Sequence, residues 1–228
     1  MKTTILILML AGFAAKGFAQ DRIQLDERIH TLDAKFDGLQ HAPDKCIPPD
    51  LLAKAKGIVL LDRTKAGFLF AYEGGNGVAL VKNSLGGWSP AAFLTASQAS
   101  LGFQVGGEQN FFVVLLMTTN AAQALTEPTI DFGGEARGTA GDQSAGVEGK
   151  IVSPDHSVIV YDDREGLFGG AAIKGGAISP DNHANEIYYG QYVTMGDILF
   201  DKKVKTSDAT LDLQRRISAY SKSNNSQP

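Results

Sequence analysis

Between Asp21 and Leu39 the apolar residues Leu25, Ile29, Leu32, Phe36 and Leu39 recur at spacings of four and three, which traces one narrow stripe along a helix. Arg28 and Lys35 flank the stripe on one side, and Asp26 and Asp33 flank it on the other. His41-Ala42-Pro43-Asp44 breaks the pattern. A short second helix follows, with Pro49 suited to its first turn, Leu51-Leu52-Ala53 continuing it and Gly57 ending it.

From Ile58 the pattern becomes that of strands. Ile58–Leu61, Gly67–Tyr72 and Gly77–Lys82 are short apolar runs, and Glu73-Gly74-Gly75-Asn76-Gly77 predicts a turn between the last two. Leu101–Gly106 and Phe111–Met117 add two strands. Asn120-Ala121-Ala122-Gln123 predicts a capping-box start to a short helix that stops at Pro128. Phe132–Gly149 reads as loop or irregular strand. Val158–Tyr161, Leu167–Ile173 and Ala177-Ile178 return to the strand pattern, and Ser153-Pro154-Asp155 and Ser179-Pro180-Asp181 read as turns. Thr194–Phe200 predicts a helical turn, and Ser207–Tyr220 a C-terminal helix capped by Ser207.

Two stretches, Gly67–Phe93 and Gly166–Ser179, set apolar runs between glycines. Glycine within a strand marks a bulge, a bend or a close backbone approach. The pattern therefore predicts an α+β fold: one domain, with a strongly curved, glycine-rich antiparallel sheet, barrel-like, an N-terminal amphipathic helix, short internal helices and a C-terminal helix.

The first residues change the picture. Met1-Lys2, the apolar run Ile5–Ala15 and the small residues Gly17 and Ala19 form the pattern of a secretory signal peptide cut after Ala19. The expected organisation is then 1–19 signal peptide, 20–220 folded domain and 221–228 disordered tail, with the product periplasmic or secreted. Without Lys2 and Lys16 the chain keeps 19 basic against 25 acidic residues, a formal charge of −6, which gives nucleic acid no global attraction. Cys46, the single cysteine, rules out an intramolecular disulfide and reads as a small buried residue beside Ile47.

Catalytic patterns are missing. The chain has no GxSxG elbow, no phosphate loop, no HExxH and no paired CxxC. No enzyme, metal or cofactor is expected, and a hydrolase is a distant third reading. Basic residues cluster instead at Lys54 and Lys56, at Arg63 and Lys65, at Lys202, Lys203 and Lys205, and at Arg215-Arg216. Gathered beside the first helix, they would suit an anionic head group.

Several blocks in order, GIVLLD, GFLFAYEGGNGVALV, GGWSPAAF, LGFQVGGEQNFFVVLL and YDDREGLFGGAAIKGGAISPDNHANEIYYG, resemble the SYLF domain family over about Ile47 to Phe200. The resemblance implies a non-enzymatic, lipid-binding module that uses an amphipathic N-terminal helix, in a bacterial form secreted to the envelope. On that basis Arg28 and Lys35, with Lys54, Lys56, Lys202, Lys203 and Lys205, are the expected contacts to phospholipid or a peripheral membrane surface. The alternative is a structural or interaction protein of the envelope that binds a protein partner.

Overall fold

The computed structural model describes residues 2–66, 72–98, 109–130, 150–153, 156–163, 166–168 and 177–222, with only the backbone path given for 2–20. Helix α1 runs Lys2–Gln40 and includes the predicted helix that starts at Asp21. Helix α2 spans Pro49–Lys54. Strands β1 (Gly57–Ala66), β2 (Tyr72–Val81), β3 (Ala92–Gln98) and β4 (Gln109–Leu116) follow. Next come α3 (Thr119–Gln123) with a 3-10 turn at Ala124–Thr126, then β5 (Lys150–Ser153), β6 (His156–Asp162), β7 (Gly166–Phe168) and β8 (Ala177–Pro180). Helices α4 (Asn182–Tyr189), α5 (Met195–Leu199) and α6 (Asp208–Tyr220) complete the chain.

The eight strands form one antiparallel sheet in the order β5-β6-β4-β1-β2-β3-β8. β7 continues beyond β5 along the outer edge of β6, pairing Val160 with Phe168. Among the described residues the path ends at β8 on one side and at β5 and β7 on the other, so the sheet is open and the barrel-like expectation is corrected. The physical reason lies in how the strands are covered. Ile58, Leu60, Val78, Leu80, Phe93, Val113 and Leu115 face α1, α2, α4 and α6 in one core. Val59, Leu61, Ala79, Val81, Leu94, Val114 and Leu116 face α3, the 3-10 turn and α5 in the other. Burial on both faces explains why Ile58–Leu61, Val78–Val81 and Phe111–Leu116 are unbroken apolar runs rather than alternating ones. A sheet covered on both sides does not have to close on itself to hide its apolar residues.

The predicted turn at Glu73–Gly77 is a second correction, because these residues lie inside β2. Gly77 pairs with Leu61, Gly75 with Arg63 and Gly74 with Thr64. A Cβ on Gly77 would come within 2.5 Å of the Leu60 carbonyl oxygen, so the glycine marks close backbone approach. The expected strand at Leu101–Gly106, the loop at Phe132–Gly149, residues 67–71 of the strand at Gly67–Tyr72 and residues 169–173 of the strand at Leu167–Ile173 lie outside the described residues.

Smaller corrections have local causes. Helix α3 begins one residue before Asn120, and Thr118 is its cap, accepting a bond from Ala121 N at 3.1 Å. Asp181, read as part of a turn, caps α4 by accepting from Ala184 N. Cys46 is exposed, not buried, because it lies in the turn after α1, where its amide donates to Ala42 O. The Ser207 cap stands where the sequence places it, and the helical turn expected from Thr194 is α5, closed by a capping box between Thr194 and Asp197.

Candidate functional site

The apolar stripe of α1 is docked. Leu25, Ile29, Leu32, Phe36 and Leu39 are all buried against the sheet and its neighbouring helices. The polar flanks of the stripe complete the docking. On one side Arg28 pairs with Asp181, the α4 cap, at 3.3 Å and lies 5.5 Å from the Phe93 ring centroid. Lys35 reaches Asp62 of β1 at 2.6 Å. On the other side Asp33 and Asp37 accept from Arg216 of α6 at 2.6 and 2.7 Å. The Tyr220 hydroxyl donates to Asp37 at 2.6 Å. The Tyr220 bond, followed by the Arg216 guanidinium, holds the Asp37 carboxyl below its ordinary value, while burial pushes the Tyr220 phenol up to about 12.

These ties decide what the expected site residues do in this arrangement. Arg28 and Lys35 hold α1 to α4 and β1. Lys54 pairs with Asp50 one turn earlier in α2, and Lys203 reaches Asp197 at 2.5 Å and Asp201 at 3.4 Å. Lys56, Lys202 and Lys205 are exposed and, like Arg22, make no ion pair among the described residues. Lys202 adopts a left-handed backbone at φ 54°. The expected residues therefore do not converge on one spot: Lys54 and Lys56 flank the end of α2, and Lys202, Lys203 and Lys205 occupy the α5–α6 connection.

A cleft of about 430 Å³ opens where α1, α4 and the start of α6 meet, lined by Arg22, Asp26, His30, Tyr188, Tyr189 and Lys205 together with residues 206–209. Its inner wall is fixed. The Tyr188 hydroxyl donates to Asp26 Oδ1 at 2.5 Å and lies 2.5 Å from Ser207 Oγ. Burial, reinforced by Asp26, pushes the Tyr188 phenol above its ordinary value, so it stays a neutral donor. The Tyr189 hydroxyl donates to Ala91 O and is likewise raised by burial. Arg22 stands over the Tyr188 ring at 5.7 Å. The cleft thus sets two cations, Arg22 and Lys205, on a mouth that also carries Asp26 and Asp208.

Of these lining residues, sequence reasoning found Lys205 alone. Arg22 and His30 gave no signal, because their partners in the cleft come from the other end of the chain. Among the described residues no group of three or more His, Cys, Asp or Glu side chains could hold a metal ion, and no helix is long and apolar enough to cross a membrane. Ser89 is buried, donates to Pro90 O and accepts from Val81 N, so it braces the strand connection.

Comparison with known proteins settles the family. The family model described as "Ysc84: Las17-binding protein actin regulator" matches residues 97–220, more than half of the chain. The chain belongs to the SYLF (Ysc84) family. It is 34% identical over 160 residues to LAS seventeen-binding protein 3 of Saccharomyces cerevisiae, covering 68% of this chain and 35% of that protein. It is 29% identical over 172 residues to SH3 domain-containing YSC84-like protein 1 of Homo sapiens, covering 75% of this chain and 50% of that one. The mouse protein of the same name is 31% identical over 163 residues, covering 71% and 48%. The SYLF chain therefore spans about a third to a half of the relatives it matches, of which the yeast one is named a binding protein. No solved structure matches.

Proposed function

We propose that this SYLF protein is a non-enzymatic lipid-binding protein of the bacterial envelope, delivered there by a leader over residues 1–19, and that the cleft between α1, α4 and α6 receives a phospholipid head group. The observation that carries this reading is the pair Arg22 and Lys205 at the mouth of the cleft, two exposed cations without carboxylate partners among the described residues. A lipid phosphate would sit between them, with the amides at the start of α6 adding favourable partial charge. The rigid wall of Tyr188 and Tyr189 would fix the glycerol end. Family membership supports binding as the general role.

A cation close to an anionic membrane contributes roughly 1 kcal/mol. Reversing both, Arg22→Glu with Lys205→Glu, is expected to weaken co-sedimentation with phosphatidylglycerol vesicles by about a hundredfold or more, with unfolding midpoint unchanged. Unaltered binding by the double variant would remove the head group from this cleft. A wild-type chain that ignores vesicles of every composition would end the lipid reading. The alternative, an envelope protein that binds a protein partner, would then stand, and it draws on the printed name of the yeast relative, a binding protein.

A further inference from the structure

The connection from β2 to β3 holds the most exposed apolar side chain among the described residues. Leu85 is 92% exposed, against 80% for Tyr192 and 53% for Ile23. It is not on a loose loop. Asn83 N donates to Gly87 O at 2.8 Å and Gly86 N donates to Asn83 O at 3.0 Å. The Asn83 side-chain oxygen accepts from Leu85 N and Gly87 N at 2.9 and 3.1 Å. Gly86 takes φ +82°, a left-handed turn that presents no Cβ clash. The amides of Leu85, Gly86 and Gly87 are thus satisfied inside the tip, which lowers the cost of moving its backbone out of water.

The base of this tip is cationic and aromatic. Trp88 bridges Lys82, whose ammonium stands 4.8 Å from the Trp88 ring centroid and donates to the α2 carbonyls of Leu52 and Ala53. Lys56 lies next to Lys82 across the strand ends, where the Lys82 amide donates to Lys56 O at 2.7 Å. Lys54 follows on the exposed end of α2, where it pairs with Asp50 at 3.1 Å, which leaves Lys56 as the exposed lysine of this group without a carboxylate partner among the described residues. A rigid apolar point, an indole at its base and the exposed Lys56 beside it together match the layering of a membrane interface: hydrocarbon, head-group belt, anionic surface.

We infer that the Asn83–Gly87 tip inserts Leu85 into the interface of an anionic phospholipid surface, with Trp88 at head-group depth and Lys56 on the phosphates. This rests on the lipid-binding reading and adds a second contact to it, apart from the cleft. Gln214 of α6 bonds Ser89 O at 2.8 Å, and it lies about 9 Å along the helix axis from the start of α6 at the cleft. Cleft and tip are therefore joined by one rigid helix.

The chain carries its own probe, because Trp88 is its only tryptophan. With mixed phosphatidylcholine and phosphatidylglycerol vesicles, Trp88 emission is expected to shift to the blue and to be quenched by acyl-brominated lipid. Leu85→Ser, at a site too exposed to unfold the domain, is expected to weaken vesicle partitioning about tenfold while leaving the unfolding midpoint unchanged. A bound protein whose Trp88 emission does not move, or a Leu85→Ser variant that binds as well as the wild type, overturns the insertion and leaves head-group binding standing. A wild-type chain that binds no vesicle overturns both together.

Discussion

Gly77 shows how one missing Cβ places two strands. The Leu60 carbonyl occupies the space that a side chain would need, and it is backbone that cannot swing aside. Gly77→Ala is expected to destabilise the domain by about 1–3 kcal/mol through forced strand displacement, measured by urea unfolding. The glycine was legible in the sequence, but its role was not: a run of Glu-Gly-Gly-Asn-Gly carries the same letters whether the chain turns there or packs tightly there. Cys46 failed for a related reason. Its neighbour Ile47 is buried, yet one residue along the turn points to solvent.

Among the elements, legibility follows the apolar period. Helices α1 and α6 bury stripes at helical spacing, so the stripe of α1 from Asp21 on and all of α6 with its Ser207 cap were readable. Helix α4 was not, because Asn182-His183-Ala184-Asn185 reads as polar turn. Its buried Asn185 replaces apolar packing with hydrogen bonds, accepting from Phe93 N at 2.8 Å and donating to Phe93 O at 3.1 Å. The cleft was illegible because it joins residues near both ends of the chain, and spacing along a sequence carries no sign of that.

The contact between α1 and α6 has a pH signature. Asp37 is held below its ordinary value in the fold, so its contribution is present above the unfolded carboxylate value and disappears as pH falls through the folded one. Tyr220→Phe removes the first cause of that shift. The variant is expected to lose about 0.5–1.5 kcal/mol at pH 6, and the gap should narrow as the pH falls below 3.8, read from urea unfolding at stepped pH.

For the whole molecule, the docked helix separates this chain from a picture in which an amphipathic helix leaves the domain to enter lipid. Both flanks of α1 are tied down, Arg28 and Lys35 to α4 and β1, Asp33 and Asp37 to α6. Releasing the helix would expose the apolar stripe and break the ion pairs of Asp33 and Asp37 with Arg216 and of Arg28 and Lys35 with α4 and β1. Amides of residues 25–39 are therefore expected to keep their protection from hydrogen exchange when anionic vesicles are added. Loss of protection confined to α1 on vesicle addition would show that the helix undocks.

The clasp between the first and last helices also sets a clock on synthesis. Asp33 and Arg216 are 183 positions apart, so the ribosome must add nearly the whole chain before α1 meets its permanent neighbour. At about 5–20 residues per second, the part of α1 that α6 covers stays open for roughly 10–40 s. Throughout that interval the nascent chain presents a ready-made handle for chaperones, which disappears when the final helix locks over it.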